Sequence, residues 1–262
     1  MVNQLPTGQG SSLWYEIKSF IFIGIIALFI RTFIMEPFFV PTGSMKQTIL
    51  ENDYIFATKY SYGYSKYSFL FITPHFIKGR ILESKPDRGD IIIFKSTHDN
   101  MDKRYIKRLI GLPGDKVQMI SGVLYINDVP VGREFVGNIT GEDGSVYKKY
   151  IETLPNGLKY SAYYIPEDKK RKFDMLDNTK VFNIPEGHYF FIGDNRNESN
   201  DSRLDIGFVP YENLIAKSQF LLFSTEKLLW LNNVSIKTQI AQIYYWIDSI
   251  RWHRLFHNVY GL

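Results

Sequence analysis

Residues 116–127, KVQMISGVLYIN, alternate apolar and polar side chains through two short runs separated by Ser121 and Gly122. Alternation with a period of two marks half-buried strands, and a two-residue connection containing glycine fits a tight hairpin. This hairpin sets the reading of its surroundings. On the N-terminal side, residues 53–59, 90–94 and 105–111 are short β-branched or aromatic runs between turn signals, and on the C-terminal side residues 188–192 and 217–223 continue the pattern. The fold expected is mostly β. Residues 132–184 turn polar and charged, with Gly, Asp and Lys clusters, which predicts a smaller β-rich subdomain inserted between two parts of the core, 36–131 and 185–262. Within the second part, Ile236, Ile240, Ile243, Ile247 and Ile250 recur at helical spacing, predicting a C-terminal helix that lays one face on the body or on a membrane.

The N-terminal region breaks the β pattern. Residues 20–30, FIFIGIIALFI, carry no charge, and extending past Lys18 and Arg31 gives an apolar segment over 17–35, behind a short tail of residues 1–16. A helix needs about 20 mostly apolar residues to cross the hydrocarbon layer, so Lys18 and Arg31 have to reach the two interfaces. A buried core helix and a cleaved leader are the competing readings. The exit, RTFIMEPFFVP over 31–41, offers no small residues at a cleavage site, and the lead-in has only Lys18 as a basic residue. A single uncleaved span is therefore the expectation. Its orientation does not follow from charge, because Lys18 and Arg31 lie at opposite ends. Residues 60–76, YSYGYSKYSFLFITPHF, are rich in Tyr and Phe and suit either strand packing or a membrane-water boundary.

Composition removes several chemistries. The chain has no cysteine, which excludes thiolate catalysis, zinc-thiolate sites and disulfides. Its net charge of +4 is spread over 262 residues without a basic block, arguing against nucleic acid as a partner. The five histidines occupy no metal motif: His253 and His257 are four apart, but no glutamate follows His253, so no metal is expected. Neither a G-x-S-x-G elbow nor a phosphate-binding glycine loop is present. A hydrolytic serine here needs a base other than histidine.

Four segments stand out downstream of the apolar run: PFFVPTGSMKQTIL (37–50), RGDIIIF (88–94), YIKRLIGLPGDKV (105–117) and GDNRNESNDSR (193–203). Ser44 alone reads as a loop serine, and Lys107 alone as a strand lysine. The four segments in this order behind an N-terminal span resemble the signature boxes of bacterial type I signal peptidases, over roughly 31–128 and 187–223. The resemblance implies a membrane-bound serine endopeptidase with Ser44 as nucleophile and Lys107 as base. It also implies that the Ser44 N–H and the Thr42 hydroxyl bind the oxyanion. Ser199 then orients the lysine amine, while Arg108, Asp194, Asp201 and Arg203 brace the site. Many members that resemble this chain have Ser where Thr42 stands, and Asp-Asn is familiar where Asn197-Glu198 stands. Residues matching the substrate pockets are Phe38, Val40, Met45, Ile49, Ile55, Ile93 and Ile106, which implies cleavage after small residues at the first and third positions before the bond.

The chemistry sets its own condition on Lys107. A serine hydroxyl is a weak nucleophile until a neighbour takes its proton, and lysine, with a pKa near 10.4, is almost wholly protonated at pH 7. Lowering that value by about three units requires roughly 4 kcal/mol of differential stabilisation, which only burial supplies. The apolar neighbours Ile106, Leu109 and Ile110 make burial plausible. As implied by the resemblance, the partners are signal-peptide-bearing precursors and membrane lipid, no cofactor is used, and the catalytic domain faces the exported side of the bacterial inner membrane with residues 1–16 in the cytoplasm. Two other readings are a self-cleaving Ser/Lys regulator and a tethered β-domain that binds exported peptides without cutting them.

Overall fold

The computed structural model describes residues 9–69, 73–74, 76–96, 103–166, 174–226 and 247–261. A helix, α1 (Gln9–Phe29), continues through a wider π turn (Ile30–Ile34) straight into β1 (Met35–Phe39). Residues Leu13–Ile34 are long and apolar enough to cross a membrane, and none of that length is buried against the rest of the chain. The strand begins where the expected span was to end, at Met35. The helical spacing read over 235–250 falls largely outside the described residues.

The remaining strands are short and antiparallel. In chain order they are β2 (Asp53–Thr58), β3 (Ile91–Lys95), β4 (Arg104–Gly111), β5 (Lys116–Ile120), β6 (Val123–Ile126), β7 (Val129–Pro130), β8 (Gly132–Thr140), β9 (Val146–Thr153), β10 (Lys159–Tyr164), β11 (Phe182–Asn183), β12 (His188–Ile192), β13 (Val209–Pro210) and β14 (Leu214–Ser224). Six of them join β1 in the main sheet, in the order β1-β2-β14-β3-β4-β12-β13. The fold is mostly β, as its alternating runs require. Ser121 and Gly122 both take positive φ, 48° and 72°, the geometry a two-residue turn needs to match the twist of β5 and β6.

The continuous apolar run of β3 is explained by burial on both faces. Ile91 and Ile93 enter one core with Phe38, Val40, Met45, Ile49 and Ile55. Ile92 and Phe94 enter another with Leu109, Tyr189 and Phe191. A third core joins the β5–β6 hairpin to β10 through Val117, Leu124, Tyr160 and Ala162.

Residues 132–164 form a separate three-stranded sheet in the order β10-β9-β8, and Phe182–Asn183 returns to pair with β5. One seam tying this sheet to the body runs along β10. Tyr163 N donates to Asp194 O (2.9 Å) and Arg196 N to Tyr163 O (2.9 Å), so β10 is hydrogen-bonded to the loop after β12. Beneath that seam the buried Arg196 guanidinium donates to both Glu152 carboxylate oxygens, at 2.8 and 2.7 Å, and to the Tyr164 and Tyr160 hydroxyls. Glu152 and Arg196 interrupt otherwise apolar or aromatic surroundings, and such charges are tolerated inside only when paired.

Of the aromatic stretch at 60–76, Tyr62 is buried and donates to Asp90 Oδ2 (2.8 Å), and Tyr64 Oη donates to Phe33 O (2.7 Å). Tyr60 and Phe76 are exposed, whereas residues 70–72 and 75 lie outside the described ones. Packing therefore accounts for much of the stretch.

Candidate active site

In a flat sheet β1 and β4 lie four steps apart, a separation of about 19 Å. Here Lys107 of β4 lies 2.6 Å (Nζ to Oγ) from Ser44, five residues beyond the end of β1. The sheet must curl until its first edge faces β4. The groove between them has a free edge on each side: β1 is the terminal strand of the order, and β12 pairs with β4 only from Arg108 onward, leaving residues 104–107 bonded on one side to β3 alone. A cleft of about 800 Å³ fills this gap, walled by residues 38–44 and 103–107.

Each functional side chain has a local reason for its place. Thr42 is extended (φ −136°, ψ 151°), and the chain then tightens into a single 3-10 turn over Gly43–Met45. That turn leaves the Ser44 side chain toward the cleft and sends Met45 into the core, where its sulfur accepts from Asp194 N at 3.4 Å. Asn195 clamps the same turn: its Nδ2 donates to Gly43 O (3.0 Å) and its backbone N to Ser44 O (3.2 Å). Glu198 in turn accepts from Asn195 Nδ2 at 3.0 Å.

Lys107 is buried to 2% exposure, and its amine donates to Ile106 O at 2.9 Å. Burial lowers its pKa to about 8, opposed by the Asp201 and then the Asp194 carboxylates. Both acids are already engaged. Arg108 meets Asp194 with two hydrogen bonds of 2.8 and 2.7 Å, and Arg203 meets Asp201 at 2.9 and 2.8 Å. Each is partly neutralised by its arginine, and burial outweighs the pull of both toward a charged Lys107. A second buried lysine, Lys59, makes the contrast: it is ion-paired with Glu36 at 2.9 Å, whereas Lys107 is ion-paired with no carboxylate among the described residues.

Of the residues expected to line the substrate pockets, Phe38, Val40, Ile55, Ile93 and Ile106 do line the cleft. Met45 and Ile49 do not; both are fully buried behind it, because the turn after Ser44 directs them inward. Ser199 is buried beside the pair, where its hydroxyl interacts with the Asp201 carboxylate, and the lysine amine donates to Ile106 O. Gly193 explains how the two segments come so close: a Cβ there would overlap Ser199 Oγ and Ser44 O and would lie 2.6 Å from Ser199 Cβ. Asn197, where the box departs from the familiar pattern, accepts from Ile165 N (3.1 Å) and donates to Asp177 Oδ1 (3.0 Å), bracing the loop from outside the cleft.

Sequence reasoning missed the polar rim. Lys46 lines the cleft and is ion-paired at 2.5 Å with Asp143, at the tip of the β8–β9 hairpin. That contact draws the Asp143 carboxyl down to about 2, chiefly through the hydrogen bond from Lys46, and Arg251 holds the neighbouring Glu142 at 2.6 Å. Nothing in the spacing of 46 and 143 announces this pairing. Among the described residues no group of His, Cys, Asp or Glu side chains is arranged to hold a metal.

A buried lysine against a cleft-lining serine is the arrangement of a Ser/Lys hydrolase, and the family match makes the class a serine peptidase. The family model described as signal peptidase, peptidase S26, matches residues 13–223. Signal peptidase I of Rickettsia prowazekii (strain Madrid E) is 55% identical over 263 residues, covering 100% of this chain and 99% of the relative. Signal peptidase I of Rickettsia typhi (strain ATCC VR-144 / Wilmington) is 53% identical over 264 residues, with 100% and 99% covered. A crystal structure of a signal peptidase I from Enterococcus faecalis V583 is 30% identical and aligns with 51% of this chain and 97% of its own at a TM-score of 0.32. The chain belongs to the signal peptidase family, peptidase S26.

Proposed function

We propose that this protein is an anchored serine endopeptidase that removes N-terminal signal peptides from exported precursors, with Ser44 as nucleophile and Lys107 as general base. The observation that carries this reading is the buried 2.6 Å contact between Lys107 Nζ and Ser44 Oγ at the wall of a two-edged cleft. An extended substrate added between the edges of β1 and β4 gains backbone hydrogen bonds, and its side chains fall alternately into the cleft. The bulk of Phe38, Val40, Ile55, Ile93 and Ile106 then leaves room for small side chains at the first and third positions before the cut.

With Lys107 neutral, the Ser44 hydroxyl donates to its lone pair. As Oγ bonds to the scissile carbonyl carbon, its proton passes to Nζ. The carbonyl oxygen becomes an oxyanion, met by the Ser44 N–H and the Thr42 hydroxyl. The Lys107 ammonium then protonates the departing amine as the peptide bond breaks, and Ser44 holds the acyl group as an ester. Water, losing a proton to Lys107, attacks the ester carbonyl, and as the acyl–Oγ bond breaks the Lys107 ammonium returns that proton to Ser44. Ser199, buried beside the pair, orients the amine when it carries the extra proton.

Residues 1–16 lie in the cytoplasm, residues 17–35 anchor the chain, and the catalytic domain, with residues 132–184 as its insertion, works on the exported face of the bacterial inner membrane in contact with lipid. The test is cleavage of a leader-bearing precursor by the full-length protein and by Ser44→Ala and Lys107→Met. Loss in both variants supports the reading. Cleavage at the wild-type rate by either overturns it, and binding without cleavage by the wild type favours a tethered peptide-binding domain.

A further inference from the structure

A buried charged cluster that the mechanism does not use lies where the apolar helix meets the sheet. No loop separates them: the π turn ends at Ile34 and β1 begins at Met35, with Ser44 following in the same stretch of chain. A helix end leaves carbonyls without partners inside the helix. Here the body supplies them. Tyr64 Oη donates to Phe33 O (2.7 Å), Lys59 N to Ile34 O (3.0 Å) and Lys59 Nζ to Arg31 O (3.5 Å).

Glu36 closes the cluster. It is 3% exposed on β1, and Lys59, at the end of β2, is 1% exposed. The Glu36 carboxylate contacts Lys59 Nζ at 2.9 Å, Arg31 of the π turn at 3.4 Å and Arg104, the first residue of β4, at 3.8 Å. One side chain thus bridges the helix exit, β2 and the strand that carries Lys107. The connection is capped and ion-paired, with Glu36 and Lys59 themselves buried.

We propose that Glu36 and Lys59, with Arg31, are positioning residues that lock the anchor helix to the catalytic sheet and so fix the height of Ser44 above the bilayer, making the enzyme selective for the distance between a precursor's membrane exit and its cut. This rests on the reading that the protein cleaves membrane-inserted precursors. Arg31 is half exposed, so its removal leaves the fold unburdened. Changing Glu36 and Lys59 together leaves no unpaired buried charge.

The experiment uses full-length protein in phosphatidylethanolamine–phosphatidylglycerol vesicles. Its substrates are test precursors with one hydrophobic segment and one Ala-x-Ala cut placed at increasing distances from it, beside a short soluble peptide with the same cut. The wild type is expected to peak at one spacing. Arg31→Ala and the double variant Glu36→Gln/Lys59→Met are expected to cut the soluble peptide at the wild-type rate, yet to lose about tenfold or more at the preferred spacing and to give a broader profile. An unchanged optimum and width overturns the proposal, as does an equal loss on peptide and precursor, which is what a purely structural role produces. Wild type that cuts no precursor at any spacing counts instead against the proposed function.

Discussion

Lys107 Nζ and Ser44 Oγ lie 2.6 Å apart, and neither side chain is more than 8% exposed. Because burial has brought the lysine to about 8, the reactive neutral amine is a substantial fraction near neutrality. The sign is fixed by the base being the deprotonated form. kcat/KM should rise with pH through about 8 and level off above it. Asp201→Asn removes the larger charge opposing the shift and leaves Arg203 unneutralised, so the rising limb should move to lower pH. A pH profile with a short peptide checks both.

Thr42 is exposed on the wall of the cleft with its backbone extended, free to turn its hydroxyl toward a developing oxyanion. Thr42→Val should lower kcat by about 10²–10³ with little change in KM, since an oxyanion donor acts in the transition state. Thr42→Ser should retain most of the rate. Steady-state kinetics on one peptide separates the two parameters.

At Gly193 the penalty is spatial. A methyl group there overlaps Ser199 Oγ and Ser44 O, so either the nucleophile's turn or the loop must yield. Gly193→Ala should reduce turnover by about 10²-fold, because displacing a nucleophile by an ångström has that scale of effect. Unfolding measured alongside separates this from loss of the fold.

Breaking the Glu152–Arg196 pair should cost stability. Both side chains are fully buried, and Glu152→Gln leaves a guanidinium without its counter-charge, at about 3–5 kcal/mol. A double Glu152→Met/Arg196→Met variant should recover part of that loss, and denaturant titration of the three proteins measures the difference.

The strands at 53–59, 90–94, 105–111 and 188–192 were legible because their period and turn residues are local properties. The Ser44, Lys107 and 193–203 segments were legible only together, through their order. What remained hidden depends on curling. Whether Ile49 faces the cleft or the core is decided by the turn after Ser44, and that Lys46 meets Asp143 is decided by where a distant hairpin tip lands. The lysine amine also donates to the carbonyl of the preceding residue, Ile106, a contact no side-chain pattern encodes.

The position of β14 has a consequence for when activity appears. β1 and β2 flank the serine, β4 carries the lysine beside β3, and within the sheet the two pairs of strands are joined across β14. Until Leu214–Ser224 has been made and threaded between β2 and β3, the sheet that curls to bring the hydroxyl to the amine is incomplete. A nascent chain bearing both reactive groups is therefore chemically silent, and a protein built to sever other polypeptides is spared from acting during its own synthesis.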